Sequence, residues 1–441
     1  MNVSPNTSRI ITLWLFLSTL TAGATGCGLG FRNRPLKADG PSRASFVIGE
    51  RGGRSDGNLV ILATSGRGSR AAYFTAHTML KLEEEGILDK VDVISAVSGG
   101  ALPAAYYSLS GDRDLPWNRW RVLDLMSRNY VYYWAFKNVR PLSFCLFWVT
   151  DYDRGDQIAE VFDAHIFEGR TFGDLREDRP HLIINATDGT IYEDRRKREK
   201  ILQDPSFTFT REDFREHLES DINSYPVSHA VTASATFPGL MHHRTLRNYS
   251  RRTKKYAHFF DGGIHDTHGL KMTRRVIDAN YYRKQDGPDG ERVYKNLVVI
   301  VVAAHTQFGG TPEEDSDPRT LPYGFFVDNG IFNAFDKMLA PRRKKELRDF
   351  DKDCNGGVKY ERCTFVQLDI ESIKDDDLRR ELEQLPYSLN LYNKGQRLID
   401  DAVETLFDRE NPFDGQYHRI LELKRILGIP ADHTKKPEAS S

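Results

Sequence analysis

The chain has 441 residues, 39% of them hydrophobic and 28% charged, with a formal net charge of −1. This is the composition of a globular protein able to bury a sizeable core, and the near balance of charge excludes a general attraction to nucleic acid or anionic lipid. The length accommodates one large domain or two ordinary ones.

The first 26 residues stand apart. Arg9 is their only charged residue, and the apolar run Ile10-Ile11-Thr12-Leu13-Trp14-Leu15-Phe16-Leu17 is followed by small residues up to Cys27. This is the layout of a secretory signal. Ala24-Thr25-Gly26-Cys27 resembles a bacterial lipoprotein cleavage box, with Ala24 where leucine is usual; there the cysteine is lipidated and becomes the new N-terminus. A plain signal peptide or a single transmembrane anchor is the alternative. The expectation is an exported protein, lipid-anchored to the bacterial cell envelope through Cys27. Gly28 lacks the aspartate linked to inner-membrane retention, which favours the outer membrane. Residues 27–57, polar and rich in Gly, Arg and Ser, read as a tether.

Residues 58–110 read as strand, loop, helix, strand, tight turn, helix. The apolar runs Leu59-Val60-Ile61-Leu62-Ala63 and Val91-Asp92-Val93-Ile94 are the strands, and Gly86 is a plausible helix stop. This alternation predicts parallel strands joined by crossover helices. Residues 111–150 are unusually aromatic, and Tyr130 to Val149 reads either as core or interface, or as a flap meeting acyl chains or a bilayer surface. His181 to Ala186 forms another buried-strand run. Leu297 to Val302 has no polar alternation, as expected for a parallel strand covered on both faces. Residues 341–353 are highly charged, and Leu389 to Leu406 reads as an amphipathic helix. The tail from Lys435 to Ser441 has a disordered composition.

Three short motifs follow strand-like runs, where open α/β sheets place their chemistry. The first is Ser65-Gly66-Arg67-Gly68-Ser69-Arg70, a Gly-containing loop between a strand and a helix. Its backbone amides suit a developing oxyanion. A phosphate-cradling loop does not fit, because no Gly-Lys-Ser/Thr follows at the required spacing. The second is Ala96-Val97-Ser98-Gly99-Gly100, a near match to G-x-S-x-G, in which a sharp strand-to-helix turn lifts the serine hydroxyl clear of the sheet. The third is Asp261-Gly262-Gly263 after Phe259-Phe260, a carboxylate whose apolar setting raises its basicity. Each also has a plain structural reading as a turn. Together they read as an oxyanion loop, a nucleophile and a general base. His242, His243, His265 and His268 lie nearby in sequence, and no motif gives them a role.

These residues resemble the patatin-like phospholipases. Leu62 to Ile87 is similar to that family's glycine-rich loop and first helix, Ser98 to its nucleophile and Asp261-Gly262-Gly263 to its aspartate motif. Ile184-Asn185-Ala186-Thr187-Asp188 resembles its central strand, and Ala233 to Leu240 the segment ahead of the aspartate. The resemblance covers roughly residues 58–305, with a looser match near 388–406. It implies a three-layer α/β/α sandwich with a mostly parallel sheet. It also implies hydrolysis of lipid acyl esters by Ser98 and Asp261 without a histidine, through an acyl-enzyme. The amides of Gly66, Arg67 and Gly68 would form the oxyanion hole, with Arg70, Gly99, Gly100, Gly262 and Gly263 in support. Arg67 stands where the family has glycine, and a left-handed backbone there costs about 1 kcal/mol or more. Ala96 replaces the first elbow glycine.

The catalytic domain is expected over 58–410 and a C-terminal helix with a tail over 411–441. Substrates are expected among membrane phospholipids or other acyl lipids, with no cofactor, no metal and no nucleic-acid partner; the oligomeric state is left open. An inactive lipid- or partner-binding protein and an acyltransferase using the same pair remain alternatives. Asp351-Lys352-Asp353-Cys354-Asn355-Gly356 imitates the start of a calcium loop, but Arg362 occupies the twelfth position where glutamate is needed. Spacing leaves open whether Cys354 and Cys363 are bridged.

Overall fold

A computed structural model of the chain describes residues 32–37, 40–48, 56–111, 115–130, 132–134, 152–190, 192–194, 199–201, 204–238, 241–250, 255–280, 294–305, 329–385 and 391–432. The segment expected to be a signal, Cys27, most of the aromatic stretch up to Val149 and the tail from Lys435 lie outside the described residues.

An eight-stranded sheet forms the centre. Its strands are β1 (Asn58–Thr64), β2 (Val93–Val97), β3 (His181–Asp188), β4 (Ser206–Phe209), β5 (Arg244–Arg247), β6 (Tyr256–Asp261), β7 (Asn296–Ala303) and β8 (Cys363–Asp369). The neighbours β8, β7, β1, β2 and β3 are all parallel, whereas β4, β5 and β6 join antiparallel. The sheet is thus mixed and mostly parallel.

Alternate residues of the same strands feed two separate cores, because successive side chains in a strand point to opposite faces. Val60, Leu62, Ile94, Ile184 and Ile300 pack on one side, with helices α1 (Gly68–Glu84), α2 (Ala101–Leu109), α10 (Asn393–Leu406) and α11 (Tyr417–Ile426). Leu59, Ile61, Val93, Ile183 and Val299 pack on the other, against α7 (Leu270–Asn280) and α8 (Asn329–Cys354). The result is the three-layer α/β/α sandwich. Between these come α3 (Arg119–Ser127), α4 (Arg154–Phe162), α5 (Arg211–Leu218), α6 (Val227–Ser234) and α9 (Asp376–Glu383).

Two segments on either side of the expected catalytic domain pack against it. Within the expected tether, residues 32–37 and 40–48 contact the main body. Arg34–Pro35 pairs antiparallel with Ser220–Asp221, the Asn33 amide donates to the Arg247 carbonyl at 2.8 Å, and Ala44 and Phe46 are buried. The apolar run Phe46-Val47-Ile48 is too short, within a polar stretch, to give a periodic signal. The helix near the C-terminus is likewise part of the main body. Ile420 and Leu423 lie in the first core, and the buried Lys424 ammonium sits 2.7 Å from the Glu85 carboxylate at the end of α1.

Cys354 and Cys363 form a disulfide between the end of α8 and the start of β8. The calcium-like side chains there are engaged by protein groups. Asp351 accepts from the Asn355 amide at 2.7 Å, and Asp353 pairs with Arg274 at 2.5 Å.

Candidate active site

Sheet register brings the second and third motifs together. Along β3, Ile184 pairs with Ala96 of β2 and with Phe209 of β4. Three residues on, Thr187 pairs with Phe260 of β6 and with Ser206 of β4. Since β4 occupies one edge of β3 from Ile184 to Thr187, across the point where β2 gives way to β6, β2 and β6 share the other. They run towards each other and meet end to end: Val97 is level with Asn185, and Asp261 with Ala186. Ser98 and Asp261, distant in sequence, therefore emerge at one point. Asp261 does close a strand, as its motif suggests, but that strand runs against its neighbour.

Ser98 leaves β2 with φ of 51°, in the left-handed region that L-residues avoid. A short 3-10 turn, Ser98–Gly100, then leads into α2. From this bend the Ser98 hydroxyl donates to Asp261 Oδ2 at 2.9 Å. The other carboxylate oxygen, Oδ1, accepts the Gly263 amide at 2.7 Å. Both residues are buried, with 5% and 7% exposure. Burial pushes the Asp261 carboxyl up to about 6, against the opposing pull of the hydrogen bonds from Gly263 and Ser98. A carboxylate of that basicity, already bonded to a hydroxyl, can take the proton when the oxygen attacks a carbonyl carbon.

The glycines permit the close approach. A Cβ on Gly66 would lie 2.9 Å from Ser98 Cβ, one on Gly99 2.1 Å from the Gly68 carbonyl oxygen, and one on Gly100 2.6 Å from the Ser65 carbonyl oxygen. The first loop and the serine turn interlock backbone against backbone, which sets the loop beside Ser98. A Cβ on Gly262 would come within 2.5 Å of the Asn185 carbonyl oxygen. Arg67 has φ of 135° and is buried, so the strain anticipated for a non-glycine residue in this loop is present. Ala96 is accommodated within β2, fully buried.

Arg70 is also buried, and its guanidinium reaches the Leu382 carbonyl of α9 at 3.3 Å. It ties the start of α1 to the C-terminal helices. Three of the four histidines near the aspartate motif are engaged elsewhere. His265 pairs with Asp204 at 2.9 Å, His268 packs against His305, and His243 against His258, while His242 is exposed. Among the described residues, none of the hydrogen bonds of the Ser98 and Asp261 side chains involves a histidine, no group of three or more His, Cys, Asp or Glu side chains is arranged to hold a metal ion, and no helix is long and apolar enough to cross a membrane.

The motifs give no role to one further group. Ser234, the last residue of α6, accepts the Ser98 backbone N–H at 2.7 Å and donates to the Asn185 carbonyl at 2.6 Å. Asn185 in turn donates through Nδ2 to Ser95 Oγ and the Ala96 carbonyl, both at 3.0 Å. The resemblance covers the Ala233–Leu240 stretch as a whole, and no spacing rule distinguishes its serine from any other buried hydroxyl.

Residues 62–273 match the family model of the patatin-like phospholipases, an interval containing all three motifs. No curated protein matches the chain. Among solved structures, the human GIVD cytosolic phospholipase A2 is similar at 10% identity and a TM-score of 0.35, over 55% of this chain and 42% of that one. The same human enzyme in complex with methyl gamma-linolenyl fluorophosphonate is similar at 11% identity and a TM-score of 0.41, over 85% and 60%. VipD from Legionella pneumophila is similar at 12% identity and a TM-score of 0.31, over 85% and 74%. The chain thus spans less than half the length of the first of these.

Proposed function

We propose that this chain, whose residues 62–273 match the patatin-like phospholipase family model, hydrolyses acyl esters of lipids with Ser98 as nucleophile and Asp261 as general base. The observation that carries this reading is the 2.9 Å bond from a left-handed Ser98 to a buried carboxylate. In the first step Asp261 takes the Ser98 proton while Oγ bonds to the acyl carbon. The resulting oxyanion is met by amides of the Gly66–Gly68 loop. The carbon–oxygen bond to the leaving alcohol then breaks, and that alcohol leaves with the proton from Asp261. Water, deprotonated by the same carboxylate, attacks the acyl-serine; the bond between the acyl carbon and Oγ breaks, Oγ takes the proton back from Asp261, and the carboxylic acid leaves. The substrates on this reading are phospholipids or other acyl lipids.

The sequence of residues 1–57 supports a second element of the proposal: Cys27 is lipidated and holds the domain at a bacterial envelope membrane. Two acyl chains suffice for stable anchoring at about 0.8 kcal/mol per buried CH₂. Hydrolysis of a short-chain p-nitrophenyl ester and of phospholipid vesicles by purified protein tests the hydrolase reading. Turnover is expected, and Ser98→Ala is expected to abolish it. Vesicle binding without turnover by the wild-type protein contradicts the reading and favours a lipid-binding role.

A further inference from the structure

We infer that Ser234 is a positioning residue for Ser98: its hydroxyl, set between the Ser98 amide and the Asn185 carbonyl, holds the turn from which the nucleophile reaches Asp261. The inference rests on the roles proposed for Ser98 and Asp261.

The need for such a group follows from the register. Val97 is the last residue of β2 to pair with β3, and the next position along that edge is taken by Asp261 arriving from the opposite direction. The Ser98 amide therefore leaves the ladder at a buried position. A buried amide requires an acceptor, and the Ser234 hydroxyl supplies it at 2.7 Å. That hydroxyl has one hydrogen, and it is committed to the Asn185 carbonyl at 2.6 Å. Its lone pairs must then face the Ser98 N–H, so the direction of both bonds is fixed. Ser98 is a non-glycine residue at φ 51°, a conformation that persists only where the surroundings over-determine it.

The same turn of chain also grips the carboxylate. Thr236, two residues beyond Ser234, accepts the Asp261 amide through its carbonyl at 2.8 Å. Its own hydroxyl is anchored to the Thr232 carbonyl within α6 at 2.8 Å. Thr187 of β3 holds the Asp261 carbonyl at 2.8 Å. The end of α6 therefore touches the backbone of both reacting residues, by the Ser234 side chain on one and the Thr236 carbonyl on the other. Removing the hydroxyl releases Ser98 while leaving Asp261 held.

Ser234→Ala and Ser234→Cys test this. The alanine has no acceptor and the thiol is a weak one. For Ser234→Ala, kcat on a short-chain ester is expected to fall about 10- to 100-fold with KM unchanged, the effect of a sub-ångström to ångström misplacement of a reacting group. The rate of labelling by a fluorophosphonate is expected to fall by the same factor, and Ser234→Cys to lie between alanine and wild type. All are measured well below the melting midpoint of each variant; should the alanine variant not fold, the cysteine variant takes its place. A crystal structure of the variant, independent of activity, is expected to show Ser98 Oγ beyond hydrogen-bonding distance of Asp261. A lowered melting temperature with unchanged kcat and labelling, or an unaltered Ser98–Asp261 bond, overturns the inference. If wild-type protein neither turns over esters nor is labelled, the hydrolase reading fails, and the crystallographic comparison still decides whether Ser234 positions Ser98.

Discussion

Replacing Asp261 by asparagine separates the chemistry of the carboxylate from its effect on stability. Burial raises its pKa from 3.8 to about 6, so the folded protein holds this proton more tightly than the unfolded chain does. As pH rises through this interval the unfolded chain releases its proton first, and stability falls. The contribution is fully present below about pH 4 and lost above about pH 6. Two pH units of difference correspond to about 3 kcal/mol. Asparagine carries no charge at any pH. Its carbonyl oxygen can keep the Gly263 amide, and its NH₂ can donate to Ser98 Oγ. Asp261→Asn should therefore match wild type near pH 4 and exceed it by about 3 kcal/mol above pH 6, while losing turnover because an amide cannot accept the proton. Urea unfolding of both proteins from pH 4 to 8 measures this, and the difference between them cancels the other titrating groups. A difference independent of pH, or a mutant less stable than wild type at pH 8, would refute the reasoning.

Gly66→Ala places a Cβ 2.9 Å from Ser98 Cβ. It should leave a folded protein with ester turnover reduced about 100-fold or more, since the displaced atom is the nucleophile's own carbon; circular dichroism and a kinetic assay check both halves. Glu85→Ala removes the carboxylate 2.7 Å from the buried Lys424 ammonium, which keeps the neutral Ala431 carbonyl at 3.0 Å. It should cost about 3–5 kcal/mol in denaturant unfolding, and a loss below 1 kcal/mol would show that the C-terminal helix is docked mainly by its apolar face. Cys27→Ser should move the protein from the membrane to the soluble fraction on cell fractionation, with loss of attached acyl chains by mass spectrometry; wild-type protein that is soluble and unmodified at its N-terminus would end the lipoprotein proposal.

What the sequence made legible divides along physical lines. Leu59-Val60-Ile61-Leu62-Ala63 and Leu297 to Val302 read directly as strands because both faces of β1 and β7 are covered, leaving continuous apolar runs. The serine turn and aspartate turn were readable because their glycines are required by backbone-to-backbone contact at Gly99, Gly100 and Gly262. The meeting of β2 and β6 along one edge of β3 was not readable, because it is a property of pairing between distant segments. Nor was Ser234, whose role depends on a hydroxyl facing an amide that local sequence does not reveal. The docking of residues 32–37 escaped for a related reason: Asn33 is held by hydrogen bonds to Arg247 and Ser220, which leave no hydrophobic pattern.

The central claim is that Ser98 attacks and Asp261 takes its proton, and the pH dependence of covalent labelling by a fluorophosphonate tests it most directly. Peptide mass spectrometry should place the adduct on Ser98. Its second-order rate should rise with pH through a single ionisation near the raised pKa of about 6 and level off above it. Asp261→Asn should suppress the rate across the range, while His265→Ala and His268→Ala retain most of it. An adduct on another serine, or a folded Asp261→Asn protein labelled at the wild-type rate, would contradict the account.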